Sequence, residues 1–469
     1  MKRSKHKLSY HKLASFDMGQ LVPVGLTEVL PGDTFRHRTT ALLRVTPLVN
    51  PLMHQVTVRI HHWFVPARVA YNQYASESAS NDNWEEYWNK KATSASLKSQ
   101  AITNIAAGDL MNHLGLPVLN GISMNVNRLP LYGYNMIWNS FYRDVDLHTA
   151  VSLTNTTLQR CCWEKDYFTA CRPNAQYDTS TMNIPFDVHT AAGLDGAIGI
   201  YSDAVAAYRR MDSDAVNVEI GASTTNAQTN KMYGGVDINE LRRNLALQRY
   251  LEARSRYGSR YRDFLRYLGI RPKDGRTDDA EYLGGGKQNV AFSEVISTAE
   301  GTTAEVGSLA GHGIAAVRTR PYTRFFEEHG YIYTLISCRP RTMYQESMEK
   351  HWFRDTRDDF WQKEYEAFGA QPVLKKEVYA AHANETDVFG YQDRFNEYRS
   401  HPSLVSGLFG STDDDWHMAR EFGGSTSLNG SFVTCTPTDR AYADTNDSEC
   451  RVMVAHSMVA RRLVSKRAR

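Results

Sequence analysis

Residues 56–64 alternate without a break. Val56, Val58, Ile60, His62 and Phe64 fall on one face of an extended chain, and Thr57, Arg59, His61 and Trp63 on the other. A period of two held this long commits the segment to a sheet. The signature returns at the far end, where Val452, Val454, His456 and Met458 alternate with Met453, Ala455 and Ser457. Segment 34–65 as a whole reads as strand pairs, with Pro47, Pro51 and Pro66 punctuating the ends of the runs. The run Tyr331 to Cys338 carries Tyr, Ile, Leu and Cys on both faces, which predicts a strand covered on both sides. Strands at both ends with helical and loop-rich matter between them are not a βαβ series. They predict a mainly β fold: one β-sandwich whose strand connections carry large insertions.

The insertions have their own signals. Pro130 starts a helix in its first turn, and Leu131, Tyr134, Trp138 and Phe141 follow on one face. That aromatic stripe reads as core. A longer helical pattern runs over 237–268, with Asp237 as its cap and Glu240 three residues on. Ile238, Leu241 and Leu245 line it, Gly258 breaks it, and it stops at Gly269 before Pro272. Its polar face carries Arg242, Arg243, Arg249, Arg254, Arg256, Arg260, Arg262 and Arg266. A solvated face is the default meaning; contact with nucleic acid or a neighbouring subunit is the sharper one. Segment 187–236 is small and polar and lacks an apolar period, so it is expected to be a long exposed excursion. No repeat of solenoid or propeller length is visible.

The best apolar run is strand-length, so no membrane insertion is expected. The basic start is followed by no apolar segment of the kind a secretory signal needs. Six Cys in 469 residues, two of them adjacent (Cys161, Cys162), point to reduced thiols.

A net charge of +2 hides an asymmetry. The first sixteen residues hold Lys2, Arg3, Lys5, Lys7 and Lys12, with no acid before Asp17. The last nineteen hold Arg451, Arg461, Arg462, Lys466, Arg467 and Arg469, with no acid after Glu449. These eleven leave 43 Lys and Arg against 52 acids in the body, a charge of −9. Basic ends on an acidic body suggest a polyanion held by the termini. The plainer meaning is two solvated, frayed ends.

No catalytic constellation stands out. Gly284-Gly285-Gly286-Lys287 lacks the Gly and the Ser or Thr of a phosphate loop, because Glu281 and Gln288 occupy those places. His61 and His62 point to opposite faces of a strand and cannot chelate one metal. Cys161, Cys162 and Cys171 lack a fourth ligand at useful spacing. Asp413-Asp414-Asp415 reads as an acidic loop sooner than a cation site. No catalytic residue, metal ligand or cofactor is therefore assigned. Aromatic residues make up 11% of the chain and many adjoin Arg, as in Arg256-Tyr257, Arg320-Pro321-Tyr322 and Arg324-Phe325. Such pairs serve protein interfaces and also stack on unpaired bases; the alternative is a large core with half-exposed Tyr.

Several blocks resemble one family. Ser15-Phe16-Asp17-Met18-Gly19-Gln20-Leu21-Val22-Pro23-Val24, followed by Val29-Leu30-Pro31-Gly32-Asp33-Thr34-Phe35, is similar to the amino-terminal stretch of gokushovirus major capsid proteins. These belong to small single-stranded DNA phages of the microvirus group. Tyr134 to Asp144, Trp163 to Thr169, Glu281 to Gly286, Glu328 to Tyr331, Val388 to Gln392 and Asp415 to Ala419 resemble further blocks in the same order. Segment 187–236 and the stretch after 458 match no block. The resemblance implies a single eight-stranded viral jelly roll, assembled in about sixty copies as a T=1 icosahedral shell around single-stranded DNA. It implies assembly in the bacterial host cytoplasm, residence in the virion, and a bacterial surface receptor met through a threefold protrusion formed by 187–236.

The division that follows is a basic arm, 1–16; jelly-roll core strands in 17–66 and 290–458; inserted helices and loops over 67–289, with 187–236 the exposed variable protrusion; and a basic tail, 459–469. The residues assigned to nucleic acid are Lys2, Arg3, Lys5, Lys7, Lys12, Arg461, Arg462, Lys466, Arg467 and Arg469. Eleven end charges in about sixty copies give roughly 660 positive charges against several thousand phosphates. A small basic DNA-binding or scaffolding virion protein, metal ions or polyamines are expected to supply the rest. Two other classes compete: a soluble single-strand-binding protein, and a glycan-binding β-sandwich with 187–236 as its recognition loop. An enzyme comes last.

Overall fold

The computed structural model describes residues 3–77, 83–89, 97–98, 100–121, 123–176, 187–189, 198–202, 207–214, 217–222, 233–235, 238–258, 261–269, 279–298, 307–366, 369–424 and 426–466. For 187–240 and part of 254–264 the description is of backbone alone. The protein is mainly β, with several antiparallel sheets and helical insertions.

Two sheets dominate. Their strands are β1 (Ser4–Lys7), β2 (Tyr10–Phe16), β3 (Val22–Val29), β4 (Thr34–Val45), β5 (Val56–Pro66), β6 (Glu281–Asn289), β7 (Ala291–Ile296), β8 (Leu309–Arg318), β9 (Tyr322–Phe325), β10 (Gly330–Pro340) and β11 (Cys450–Arg462). The seven-stranded sheet runs β1-β11-β4-β8-β7, with β2 also on β11 and β9 also on β4. The four-stranded sheet runs β6-β5-β10-β3. All of these pairings are antiparallel.

The alternation in β5 does what its period predicts. Val58 and Ile60 enter the core between the sheets with Leu43, Val452, Val454 and Ile336. Phe64 joins Phe35, Ile332 and Met458 at one end of it. Trp63 and Val65 enter a second core on the other side of the same sheet, with Tyr333 and Leu335 of β10. The β10 run is covered on both sides for this reason. The cover comes from α1 (Ala67–Glu77), α2 (Leu110–Leu114) and α3 (Leu129–Ile137). In α3, Pro130 sits in the first turn, and Leu131, Tyr134 and Trp138 are buried. Helix and sheet approach closely: a Cβ at Gly133 would lie 2.2 Å from the Tyr333 hydroxyl.

Three histidines lie between the sheets where a purely apolar core would be expected. His37 Nε2 is 3.2 Å from His456 Nδ1, and His62 Nδ1 is 3.0 Å from Thr334 Oγ1. Tyr322 and Thr39 complete the cluster, 3.0 Å and 3.2 Å from the two nitrogens of His37. Burial pushes the His37 imidazole down to about 3 and the His456 imidazole to about 4, and drives His62 well below the ordinary range. All three are neutral at pH 7, as uncompensated burial demands.

The structure departs from the sequence-based division in three places. The expected arm, 1–16, contains two strands, because β1 and β2 extend the ladder along the whole of β11. The expected insertion, 67–289, ends in a sheet strand: β6 pairs with β5 from Glu281↔Phe64 to Asn289↔Thr57. Gly285 there serves close packing, since a Cβ on it would lie 2.2 Å from the Ile60 carbonyl oxygen. The expected core range 290–458 carries a second excursion between β10 and β11, built of short helical turns and one hairpin, Ala370–Leu374 with Val388–Asp393. Its core gathers Phe168, Tyr344, Phe389 and Phe432.

The chain divides into two compact units, Met1–Ala175 with Tyr257–Arg469, and Gln176–Arg256. The second holds antiparallel strands Ile198–Ser202, Ala207–Asp214 and Asn217–Ala222, a pair Asp187–His189 with Tyr233–Gly235, and α4 (Ile238–Tyr257). A polar, small-residue segment offers no alternation to read, yet its backbone pairs into these ladders. The expected exposure of 187–236 and the Asp237 cap fall outside the described residues. Helix α4 ends at Gly258, which has φ +107°, and a short helix resumes at Tyr261–Tyr267. Among the described residues no helix is long and apolar enough to cross a membrane.

Candidate nucleic-acid interface

The two sheets differ in what lies outside them. The outer face of the seven-stranded sheet is uncovered: along β4 and β11 every second residue is buried and most of those between are exposed. Its seven strands contain eleven Lys and Arg and one acid, Glu294. Glu294 sits opposite Gly311, on the side away from the exposed His312. No carboxylate of these strands therefore shares the bare face.

Register brings the cations together. Lys5 lies opposite Arg461, and Lys7 opposite Val459, which in turn lies opposite Arg36. Arg38 is opposite Ser457, and Arg44 lies between Arg451 and Ile314. Arg318 is opposite Thr40. The two basic ends, 450 residues apart in sequence, are thus neighbours in one ladder: β11 carries both, pairing with β1 at its end and with β4 along its length. Arg451 is tied to Asp447, whereas no described carboxylate pairs with Arg36, Arg38, Arg44, Arg318 or Arg461.

The same face has an apolar centre. Leu13, Leu42, Met453 and Ile314 floor an open cavity of about 920 Å³, with Arg44, Arg451 and His312 at its rim. Leu13 is 77% exposed. Cations around an apolar floor suit a chain of phosphates with unstacked bases.

The residues assigned from sequence separate into three groups. Lys5, Lys7, Arg461 and Lys466 are exposed. Arg3 is exposed too, but its guanidinium donates to the Gly32 carbonyl and Thr34 Oγ1, both at 3.1 Å, and lies 5.3 Å from the Phe325 ring. Lys12 and Arg462 turn inward. Lys12 Nζ donates to the carbonyls of Pro23, at 3.1 Å, and of His113, and burial lowers its ammonium to about 8. Arg462 Nε donates to Asp33 Oδ2 at 2.8 Å, its Nη2 donates to the Glu28 carbonyl at 2.5 Å, and it lies 5.2 Å from the Phe35 ring. Asp33 is fully buried, so Arg462 is its charge partner within the fold. Lys2, Arg467 and Arg469 lie outside the described residues.

Sequence reasoning missed Arg36, Arg38, Arg44 and Arg318. The signal was present: in Thr34 to Val45 basic residues take the positions between buried Phe35, His37, Leu43 and Val45, and no acid does. Reading charge by strand face, instead of by chain end, finds them.

Elsewhere the polar clusters are structural. Asp415 accepts from Asn50 Nδ2 at 2.7 Å, and Arg440 donates to the Asp414 carbonyl at 2.7 Å. The six cysteines are free thiols. Among the described residues no group of His, Cys, Asp and Glu is arranged to hold a metal ion.

A sandwich with a single-sign outer face and no catalytic constellation among its described side chains has the character of a binding or packaging protein. Comparison with known proteins names the class: a family described as "Capsid protein (F protein)" matches residues 1–467, and the chain belongs to it. It is 28% identical to capsid protein VP1 of Bdellovibrio phage phiMH2K, over 94% of this chain and 89% of that protein. Similarity to capsid protein VP1 of Chlamydia phage 1 is 28% over 94% and 91%, and to that of Spiroplasma virus 4 it is 26% over 90% and 85%. The protein is a structural bacteriophage capsid protein, not an enzyme, and it resides in the virion as part of a multi-copy shell. The resemblance to gokushovirus capsid proteins stands, and the soluble DNA-binding and glycan-binding readings give way to it.

Proposed function

We propose that the chain forms a T=1 icosahedral shell of about sixty copies around single-stranded DNA, with the bare face of the seven-stranded sheet turned toward the genome. The carrying observation is the charge of that face: Lys5, Lys7, Arg36, Arg38, Arg44, Arg318, Arg451 and Arg461 lie on it, and the one acid of its strands is turned away. A face of one sign opposes compact folding through self-repulsion and is retained where a polyanion neutralises it. The strand orders β2-β11-β4-β8 and β6-β5-β10-β3 support an eight-stranded jelly roll, with β1, β7 and β9 as additions to it.

In this reading the DNA contacts are Lys5, Lys7, Arg461, Lys466 and the ends beyond them, together with Arg36, Arg38, Arg44 and Arg318. Lys12 and Arg462 serve the fold. Even so, about sixty copies of such a face supply on the order of a thousand charges against several thousand phosphates. A small basic virion protein, metal ions or polyamines supply the remainder. Segment 187–236, within the unit Gln176–Arg256, is the insertion proposed to form the outer protrusion that meets a bacterial surface receptor, and assembly takes place in the host cytoplasm.

The test is particle content. Shells made with Arg36→Gln, Arg44→Gln and Arg318→Gln together should form at normal yield and carry less DNA. Unchanged DNA per particle would remove the face from the genome contact. Negative-stain images of spheres under about 300 Å across, the order expected for sixty domains of this size, check the shell itself.

A further inference from the structure

The excursion between β10 and β11 carries an aromatic strap that stands exposed among the described residues. It runs from Lys350 to Glu366 in three short helical turns, Lys350–Phe353, Arg357–Asp359 and Lys363–Tyr365, none of which buries a residue. Trp352 is 71% exposed, and Phe360, Trp361 and the adjoining Tyr398 are each half exposed. Leu408, on a following turn, is exposed as well. Exposed large apolar side chains clustered in this way mark a contact surface.

The strap is held in shape. The Arg354 guanidinium lies 5.1 Å from the Phe360 ring and 4.7 Å from the Tyr398 ring, and pairs with Glu397 at 3.5 Å. Arg399 pairs with Glu366 at 3.2 Å, and the Trp361 N–H donates to the Tyr398 hydroxyl at 3.4 Å. These ties stack Arg on the inner side of the rings and leave their outer sides to solvent. A surface fixed this way loses little side-chain entropy when it is covered. Around the rings the exposed acids Asp355, Asp358, Asp359, Glu364 and Glu366 outnumber the exposed bases Arg357, Lys363 and Arg399.

Helix α4 has the complementary composition. It exposes Leu245, Leu247 and Tyr250, flanked by exposed Arg242, Arg243 and Arg249, and no exposed acid falls within 241–250. Strap and helix each expose these side chains to solvent. We propose that the strap of one copy receives α4 of a second copy, ring against Leu and Tyr, carboxylate against guanidinium. The two patches differ, so the contact is head-to-tail, and repeated around an axis it closes a ring. This rests on the shell reading. It adds which surfaces of the copies meet.

Charge exchange in the full-length chain tests it. Asp358→Arg with Glu364→Arg reverses the strap, and Arg242→Glu with Arg243→Glu reverses the helix. All four residues are exposed, so circular dichroism and Tm of the unassembled chain should stay at wild-type values. Each reversal alone should cut the yield of closed particles, counted by sedimentation and negative stain, by about tenfold or more, since like charges at a contact cost several kcal/mol. The two reversals combined should restore particles. A second readout is covalent: with Asp358→Cys and Arg243→Cys in one chain, mild oxidation of particles should give disulfide-linked multimers. Single reversals that assemble normally, a combination that fails to restore yield, or only uncrosslinked chains would overturn the contact. Wild-type chain that forms no particle with its virion partners present would instead remove the shell reading on which it rests.

Discussion

The two sheets share one core and differ on their outer faces. The four-stranded sheet is buried on both sides: Tyr333 and Leu335 look one way, Ile332 and Ile336 the other, and all four are inaccessible. Its strands carry three Lys and Arg and two acids. The seven-stranded sheet is buried on one side and charged on the other. Position in the fold, not strand propensity, separates them. Where helices cover a sheet, charge is expensive, and the charges are few and of both signs; on the open face charge of one sign accumulates and points to what will lie there.

The sharpest way to break the comparison is acid, because the shared core holds His37, His62 and His456 without a carboxylate partner. The unfolded chain protonates these near pH 6.5; the folded chain protonates His37 only near pH 3 and His456 near pH 4, and burial holds His62 well below the ordinary range. Stability is therefore full above about pH 6.5 and falls as pH drops toward 4, by about 1.4 kcal/mol per pH unit for each imidazole. His54, His61 and His113, each held near 4 by burial, add in the same sense. Glu449, pushed up to about 7 by burial, acts oppositely, because the folded chain keeps its proton while the unfolded chain loses it. Denaturant titrations of the unassembled chain from pH 7 to 4.5 should show a steep net loss, and His62→Gln should flatten the slope by about one proton. A pH-independent transition would mean these imidazoles are not buried together.

Cavity formation separates the covered sheet from the bare face. Leu335→Ala should cost about 3 kcal/mol, the usual loss for an enclosed leucine. Leu13→Ala, on the bare face, should cost no more than about 0.5 kcal/mol. Equal losses in urea unfolding would show that the outer face is covered in the free chain.

Ion pairing separates residues within the sequence-assigned set. Arg462→Gln leaves the buried Asp33 carboxylate without its charge partner and should cost about 2 kcal/mol in the same assay. Lys5→Gln should leave unfolding unchanged.

The smallest effects are on DNA. The slope of log K against log salt for single-stranded DNA should fall by about 0.7 for each phosphate contact removed, hence by about 2 for Arg36→Gln, Arg44→Gln and Arg318→Gln combined. Lys12→Met should leave the slope where it was, because its ammonium already serves the Pro23 and His113 carbonyls. A slope that responds to Lys12 and not to the three arginines would return the DNA contact to the flexible ends.

The family and the sheet-forming runs were legible in the residues themselves. Ser15 to Phe35 and the later blocks carry the capsid resemblance, and the period of two in 56–64 names the two faces of β5 correctly. The charged ends were legible as charge but not as structure. A strand such as Lys5 to Lys7 between basic neighbours has too little apolar content to announce itself, and it becomes a strand because β11 offers an unpaired edge. Strand β6 stayed hidden for a related reason: its three glycines read as loop, and only the structure shows Gly285 pressed against β5, Gly286 against Arg318, and Gly284 at φ +129°.

What the residues decide alone is local. Alternation picks strand over helix, Pro130 and Gly258 set helix ends, and the lack of any nucleophile or ligand spacing sets chemistry aside. What only the tertiary structure decides is company. Arg36, Arg318, Lys5 and Arg461 share one face because antiparallel ladders bring distant segments within about 5 Å of each other. Lys12 and Arg462, of the same residue types and in the same tails, turn inward because carbonyls and a buried carboxylate lie where their side chains reach. Side-chain period is written along the chain, whereas the partner across a ladder is fixed by strand order, and strand order is a property of the whole fold.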